Sequence, residues 1–219
     1  CGRKADEGEQ ERPNSAGSDD RKDSCSLRRQ GARAQAGAGE YAAALLAYSA
    51  VLRECGRRHA DASSEVLSWP ADDIFAFAIS SFHVEGPDAA IGLLRAICVA
   101  DTRFCIEAAR LCRSAGRFAE ARDILTGALS RSAADFRVWL SLGLLFSSTS
   151  SYSLALRTFI AAHRLDTKDF KSLVNAAQTE SNLGLKEKAT QRLKHIHRQH
   201  PANVEVLLLL VEQFMNLDA

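Results

Sequence analysis

The stretch Phe136–Asp169, FRVWLSLGLLFSSTSSYSLALRTFIAAHRLDTKD, decides the fold. Trp139, Leu142, Gly143 and Phe146 recur at helical spacing in its first half, and Ala155, Phe159 and Ala162 do so in its second. Gly143 and Ala155 each put a small residue on an otherwise bulky stripe. Two helices cross closely only where side chains are small, so this pair marks a crossing point between antiparallel helices. Outward from it the same small pair returns as Ala109 and Ala121 upstream and as Ala177 and Ala189 downstream, each displaced by 34 residues. Ala78 with Ala90 and Ala32 with Ala44 continue the series towards the N-terminus. The chain is therefore an internal repeat of helical hairpins.

A 34-residue period with two helical stripes per unit resembles the tetratricopeptide repeat. Three copies match well, at 102–135, 136–169 and 170–203. The first carries Cys105, Ala109, Cys112, Ala121, Leu125 and Ala128. The last carries Leu173, Ala177, Ala189, Leu193 and Ile196, with Pro201 where the family places a helix-ending proline. Gly116 and Gly184 fall in the turns between helices. Two degenerate copies precede them, at 69–101 with Gly86-Pro87 in its turn and at 25–58, whose first helix is weak in apolar residues. Residues 56–69 read as an insertion, and Val204 to Leu217 as an apolar capping helix. The resemblance implies an all-α, right-handed superhelical solenoid of about five hairpins plus the cap over 25–219.

Residues 1–24 are polar and charged with almost no apolar side chains, and read as a flexible tether. Cys1 ahead of such a segment resembles the mature N-terminus of a bacterial lipoprotein, whose leading cysteine carries acyl chains. Gly2, in place of an aspartate that retains many such proteins at the inner membrane, leans this expectation towards the outer membrane and the periplasm. The alternative is a fragment that starts at a cysteine, which leaves a cytoplasmic location open. No run of 18 or more apolar residues is present. Cys98, Cys105 and Cys112 sit where the repeat needs apolar packing and read as small buried hydrophobes. Cys25 and Cys55 flank the open end of the first hairpin and form a candidate disulfide in an oxidising compartment. His195, His197 and His200 have the wrong spacing for one helix face and lack further ligands, so no metal is expected.

No nucleotide-binding, hydrolase or metalloprotease motif is present, and Asp72-Asp73 reads as helix-start capping. The formal net charge is only +1, which disfavours nucleic acid. No catalysis and no cofactor are expected. The resemblance puts the first helix of each hairpin on a groove for a protein partner. Its groove positions map onto Phe75, Ile79, Phe82 and His83, then Arg103, Ile106, Glu107, Arg110 and Arg113. Arg137, Leu140, Ser141, Leu144 and Ser148 follow, then Lys171, Val174, Asn175, Gln178 and Asn182. That surface, an apolar strip with a basic, amide-rich border, suits a peptide with apolar anchors and some acidic residues. The set of residues by which chaperone-binding members clamp a C-terminal carboxylate is not reproduced. The expectation is a non-catalytic interaction scaffold. Anchor and repeat number together resemble the pilotins that help a type IV pilus secretin assemble. A lipoprotein of the outer-membrane protein insertion machinery is a rival, and a soluble adaptor is the alternative.

Overall fold

The computed structural model describes residues 16–55, 66–99 and 101–217. Among them all regular structure is helical, and the chain divides into two compact units with the boundary between Val84 and Glu85. That boundary lies inside the stretch 69–101 that the sequence reads as one hairpin.

The first unit holds α1 (Ala16–Gly37), α2 (Tyr41–Cys55) and α3 (Ala71–Val84). Helix α1 begins at Ala16, inside the segment 1–24 expected to be a tether; Cys1 lies outside the described residues. Apolar content misled here because α1 docks through few apolar side chains. Its buried stripe is Ala32 and Ala36, flanked by Arg29 and Arg33, whose guanidinium groups reach the buried carboxylate of Asp73 at 3.4 and 3.6 Å. Asp73 is thus the counter-ion that seats α1 on α3, beyond the capping role expected of it. Tyr48, fully buried, stacks on Trp69 and meets Phe77 edge-on, both at 5.6 Å between ring centres. Burial pushes the Tyr48 hydroxyl well above the usual phenol range.

The second unit holds α4 (Pro87–Ile97), α5 (Thr102–Ser114), α6 (Phe118–Arg131), α7 (Phe136–Ser148), α8 (Tyr152–Leu165), α9 (Phe170–Asn182), α10 (Lys186–Gln199) and α11 (Val204–Leu217). One residue type starts each of the middle hairpins. Asp101, Asp135 and Asp169 accept from the backbone N–H of Arg103, Arg137 and Ser172 at 2.8, 3.0 and 3.2 Å, and Asn203 does the same for Val206 at 3.2 Å. These N-caps recur every 34 residues and satisfy donors that the first helical turn leaves unpaired. Thr102 also donates to Asp135 at 3.1 Å, which ties one hairpin's start to the next.

The turn inside each hairpin is equally regular. Arg117, Ser151 and Leu185 donate backbone N–H bonds to the carbonyls of Cys112, Phe146 and Glu180 at 2.8, 2.8 and 2.9 Å. This is the six-to-one bond of a Schellman cap, which needs a left-handed residue just before its donor. Gly116, Ser150 and Gly184 supply it, with φ of 74°, 55° and 76°. In the first unit Gly39 closes the same kind of cap, with Glu40 donating to Gln35 at 2.9 Å.

All the paired small residues are buried. At Gly143 the reason is direct: a Cβ there would collide with the ring of Phe159. Glu180, nearly fully buried, receives two hydrogen bonds from Arg192, Nε at 2.9 Å and Nη2 at 2.7 Å, and so locks α9 to α10. Helix α11 covers the end of that hairpin with Val206, Leu210 and Gln213. It leaves Leu208, Val211, Phe214 and Met215 exposed on its other side.

Candidate functional site

Within the second unit, α5 packs beside α7 and α7 beside α9, so the first helices of successive hairpins form one continuous face. Short two-helix turns force this arrangement, because each hairpin must bury its inner stripe against the next. On that face a socket of about 150 Å³ opens between α5 and α7. Ile106, Ala109, Leu125, Leu144 and Leu145 make it apolar, and Arg110, Arg113 and Ser141 stand at its edge.

The two arginines differ in electrostatic state. Arg110 is paired with Glu107 on its own helix at 2.7 Å. Arg113 donates to Ser148 Oγ at 3.3 Å and makes no ion pair among the described residues. Ser148 in turn donates back to the Leu144 carbonyl at 2.9 Å, which orients its oxygen towards Arg113. The socket therefore joins a leucine-sized apolar floor to one guanidinium whose charge is uncompensated by any carboxylate described.

Several other residues expected in the groove are committed elsewhere. Arg103 and Arg137 turn back onto Asp101 and Asp135, each at 2.8 Å, and hold those carboxyls below the usual range. They brace N-caps and do not project as free cations. Asn175 spends its amide on the Lys171 carbonyl at 2.9 Å. Val174 is buried, because Val206 and Leu210 of α11 close over α9 and draw it into their core cluster. Phe82 is buried too, so neither it nor Val174 offers open groove surface. Leu140 and Leu144 are half-buried and pack against Phe159 and Ala176, with part of each left on the face. Lys171 and Asn182 are exposed and Gln178 half-buried on α9. Phe75 and Ile79, half-buried, and exposed His83, stacked on Tyr41 at 4.0 Å, belong to the first unit.

A larger cleft of about 420 Å³ lies over α8, α9 and α10, lined by His163, Leu173, Glu180, Lys188, Gln191, Arg192 and His195. It is wide open and polar, and its one guanidinium, Arg192, is consumed by Glu180. Among the described residues no group of three or more His, Cys, Asp or Glu is placed to hold a metal ion, and no helix is long and apolar enough to cross a membrane.

Cys25 is disulfide-bonded, while Cys98, Cys105 and Cys112 are buried thiols. Cys55, expected to be the partner of Cys25, ends α2 with its side chain outside the described residues. The sequence reading missed that Cys105 meets Arg131, 26 residues on. Nothing in helical periodicity points from one to the other.

No protein-family model matches the chain, and no curated protein matches it. Solved structures do. A tetratricopeptide repeat protein from Parabacteroides merdae superposes with a TM-score of 0.68 at 12% identity, over 88% of this chain and 73% of that one. MamA superposes with a TM-score of 0.61 at 14% identity, over 81% and 92%. YrrB, a tetratricopeptide protein described as having an unusual peptide-binding site, gives 0.59 at 16% identity over 83% and 89%. With its 34-residue register of caps, turns and small-residue crossings, this chain has the all-α tetratricopeptide fold.

Proposed function

We propose that the protein is a non-catalytic interaction scaffold that binds a peptide segment of a partner on the α5–α7–α9 face. The socket between Ile106 and Leu144, edged by the uncompensated guanidinium of Arg113, carries this reading. It selects an apolar side chain of about leucine size followed or preceded by a carboxylate. Apolar burial supplies affinity and the charge supplies orientation. The peptide-binding description of YrrB, which has the same fold, supports the assignment.

The test is an array of short peptides in which a leucine is flanked by aspartate, by lysine or by serine, probed with the full chain. Acidic flanks bind best, and Arg113→Glu inverts the preference towards lysine. An array that shows no difference between acidic and basic flanks, with the helices intact by circular dichroism, sinks the reading.

The same proposal places the partner in a bacterial cell envelope, with a type IV pilus secretin as one such component and Cys1 as the lipid attachment point. The disulfide at Cys25 supports an oxidising compartment. Fractionation of the native protein beside Cys1→Ser separates this setting from that of a soluble adaptor. Release of the variant from membranes supports the anchor, and an unmodified, soluble native protein removes it.

A further inference from the structure

Helix α11 stands where a further hairpin begins. Its cap, Asn203, follows Asp169 by the same 34 residues that separate the other caps. Val206, Leu210 and Gln213 seal it onto α9 and α10, and no second helix covers its outer side among the described residues. In the complete hairpins the first helix carries Ala109, Gly143 or Ala177 where its own second helix crosses closely. The next step of 34 falls on Val211, which is 54% exposed. A valine there keeps a neighbour at the wider spacing of interdigitating side chains, so α11 is not shaped for the close crossing of a hairpin.

Val204, Leu207, Leu208, Val211, Phe214 and Met215 are all exposed on that outer side. On a helix they cover an arc of about 120° centred on Val211. Val204, Leu208, Val211 and Met215 succeed one another at steps of four, three and four, the spacing of a coiled-coil seam. Charge marks the two edges of the strip differently. Glu205 and Glu212, both exposed, run along one edge. At the other, Lys194 of α10 lies over the Phe214 ring, 5.1 Å from its centre. None of these three charges makes an ion pair among the described residues.

We propose that the occupant of this face is a second copy of the chain, paired through α11 in a parallel two-fold dimer. Covering the six apolar side chains removes roughly 600 Å² from each copy, about 1,200 Å² in all, which reaches the lower limit of stable interfaces. The charges choose the orientation. Antiparallel pairing sets each edge of the strip against the same edge of the other copy, acid on acid. Parallel pairing sets the acidic edge of one copy against the Lys194 edge of the other. Lys194 stands at the level of Phe214, and Glu212 is two residues, about 3 Å, along the axis from there, so each Lys194 meets Glu212 of the second copy. No residue of α11 lines the socket between α5 and α7, so the dimer presents two such sockets, and a partner with two binding segments gains avidity.

The experiment is sedimentation equilibrium of the full chain from about 1 to about 100 µM, where a dimer of this kind shows concentration-dependent mass. The native chain is expected to dimerise. Val211→Glu leaves it monomeric with unchanged circular dichroism and urea midpoint, because the position is exposed in the single copy. Lys194→Glu and Glu212→Lys each weaken the dimer roughly two- to fivefold, and the double exchange restores it. Leu208→Cys, oxidised and mapped with trypsin, links the peptide of residues 199–219 to itself. A dimer that survives Val211→Glu lies on another surface and overturns the proposal. A dimer that Glu212→Lys strengthens is antiparallel and overturns the orientation. A native chain that stays monomeric at the highest concentration overturns the second copy as occupant, and flotation of that monomer with phosphatidylcholine vesicles would put a lipid surface in its place.

Discussion

The fit between Gly143 and Phe159 shows how a single position carries the repeat. The flanking copies oppose Ala109 to Leu125 and Ala177 to Leu193 in the same register, and only the middle copy opposes a glycine to a phenylalanine. Ring volume on one helix is matched by a missing methyl on the other. Gly143→Ala is expected to cost about 1–3 kcal/mol by overpacking, read as a lower urea midpoint at constant slope. Phe159→Leu should recover much of that loss, because leucine is what alanine meets in the neighbouring copies. The same glycine-to-alanine change at Gly92, inside α4 with nothing near its missing Cβ, should instead gain about 0.5–1 kcal/mol. A small residue at 143 was legible from the period. That it had to be glycine was not, since the period places Phe159 on a stripe without saying which small residue its ring covers. The capping aspartates were equally hidden until the hydrogen bonds identified them. Asp135→Ala should cost about 1 kcal/mol at neutral pH. Asp135 has a depressed pKa in the fold, chiefly through its bonds from Arg137, so its contribution is present above the unfolded carboxylate range. It is lost as pH falls through the folded value, so the penalty should shrink in acid, which chemical denaturation at a series of pH values would show.

At the scale of elements, the Schellman turns set the hairpins, and one of them lacks its glycine. Ser150 holds φ of 55° between the same bonds that Gly116 and Gly184 satisfy without strain. A left-handed residue with a side chain costs roughly 1–2 kcal/mol, and the added chain freedom of glycine returns about 0.4–1 of that. Ser150→Gly is therefore expected to stabilise the protein by about 0.5 kcal/mol, and Gly184→Ser to destabilise it by a similar amount, both read from urea unfolding. Turn residues are legible in sequence when they are glycine and illegible when the register alone demands them, which is why 150 went unnoticed between 116 and 184. The start of α1 was illegible for another reason. Its contribution to the core is alanine and the stems of Arg29 and Arg33, so neither apolar content nor periodicity marks it. Val174 was assigned to the groove because its place in the repeat is a groove place. The closing helix α11 covers that place in the last hairpin, and only contact with Val206 and Leu210 reveals it.

For the molecule as a whole, nearest-neighbour packing makes stability a chain of local terms, so a staple acts where it stands. Cys25, in α1 of the first unit, is disulfide-bonded. Helices α1 and α2 run antiparallel around Gly39, which carries Cys25 and the end of α2 back towards each other. We propose Cys55, the residue expected from the sequence, as the partner. A bond closing a loop of this length removes on the order of 3.5 kcal/mol of unfolded-state entropy, a large share of a small domain's stability. Two measurements follow. An unreduced tryptic map should join the peptide of residues 23–28 to that of 54–57, and a link to Cys1 in its place would overturn the pairing. On mild reduction, amide hydrogen exchange should accelerate in α1 and α2 while α7 to α10, held by their own caps, crossings and the Glu180–Arg192 bond, keep their protection. Uniform loss of protection along the chain would mean that the repeats unfold as one cooperative body, and that the staple supports the binding face as well as the helix it closes.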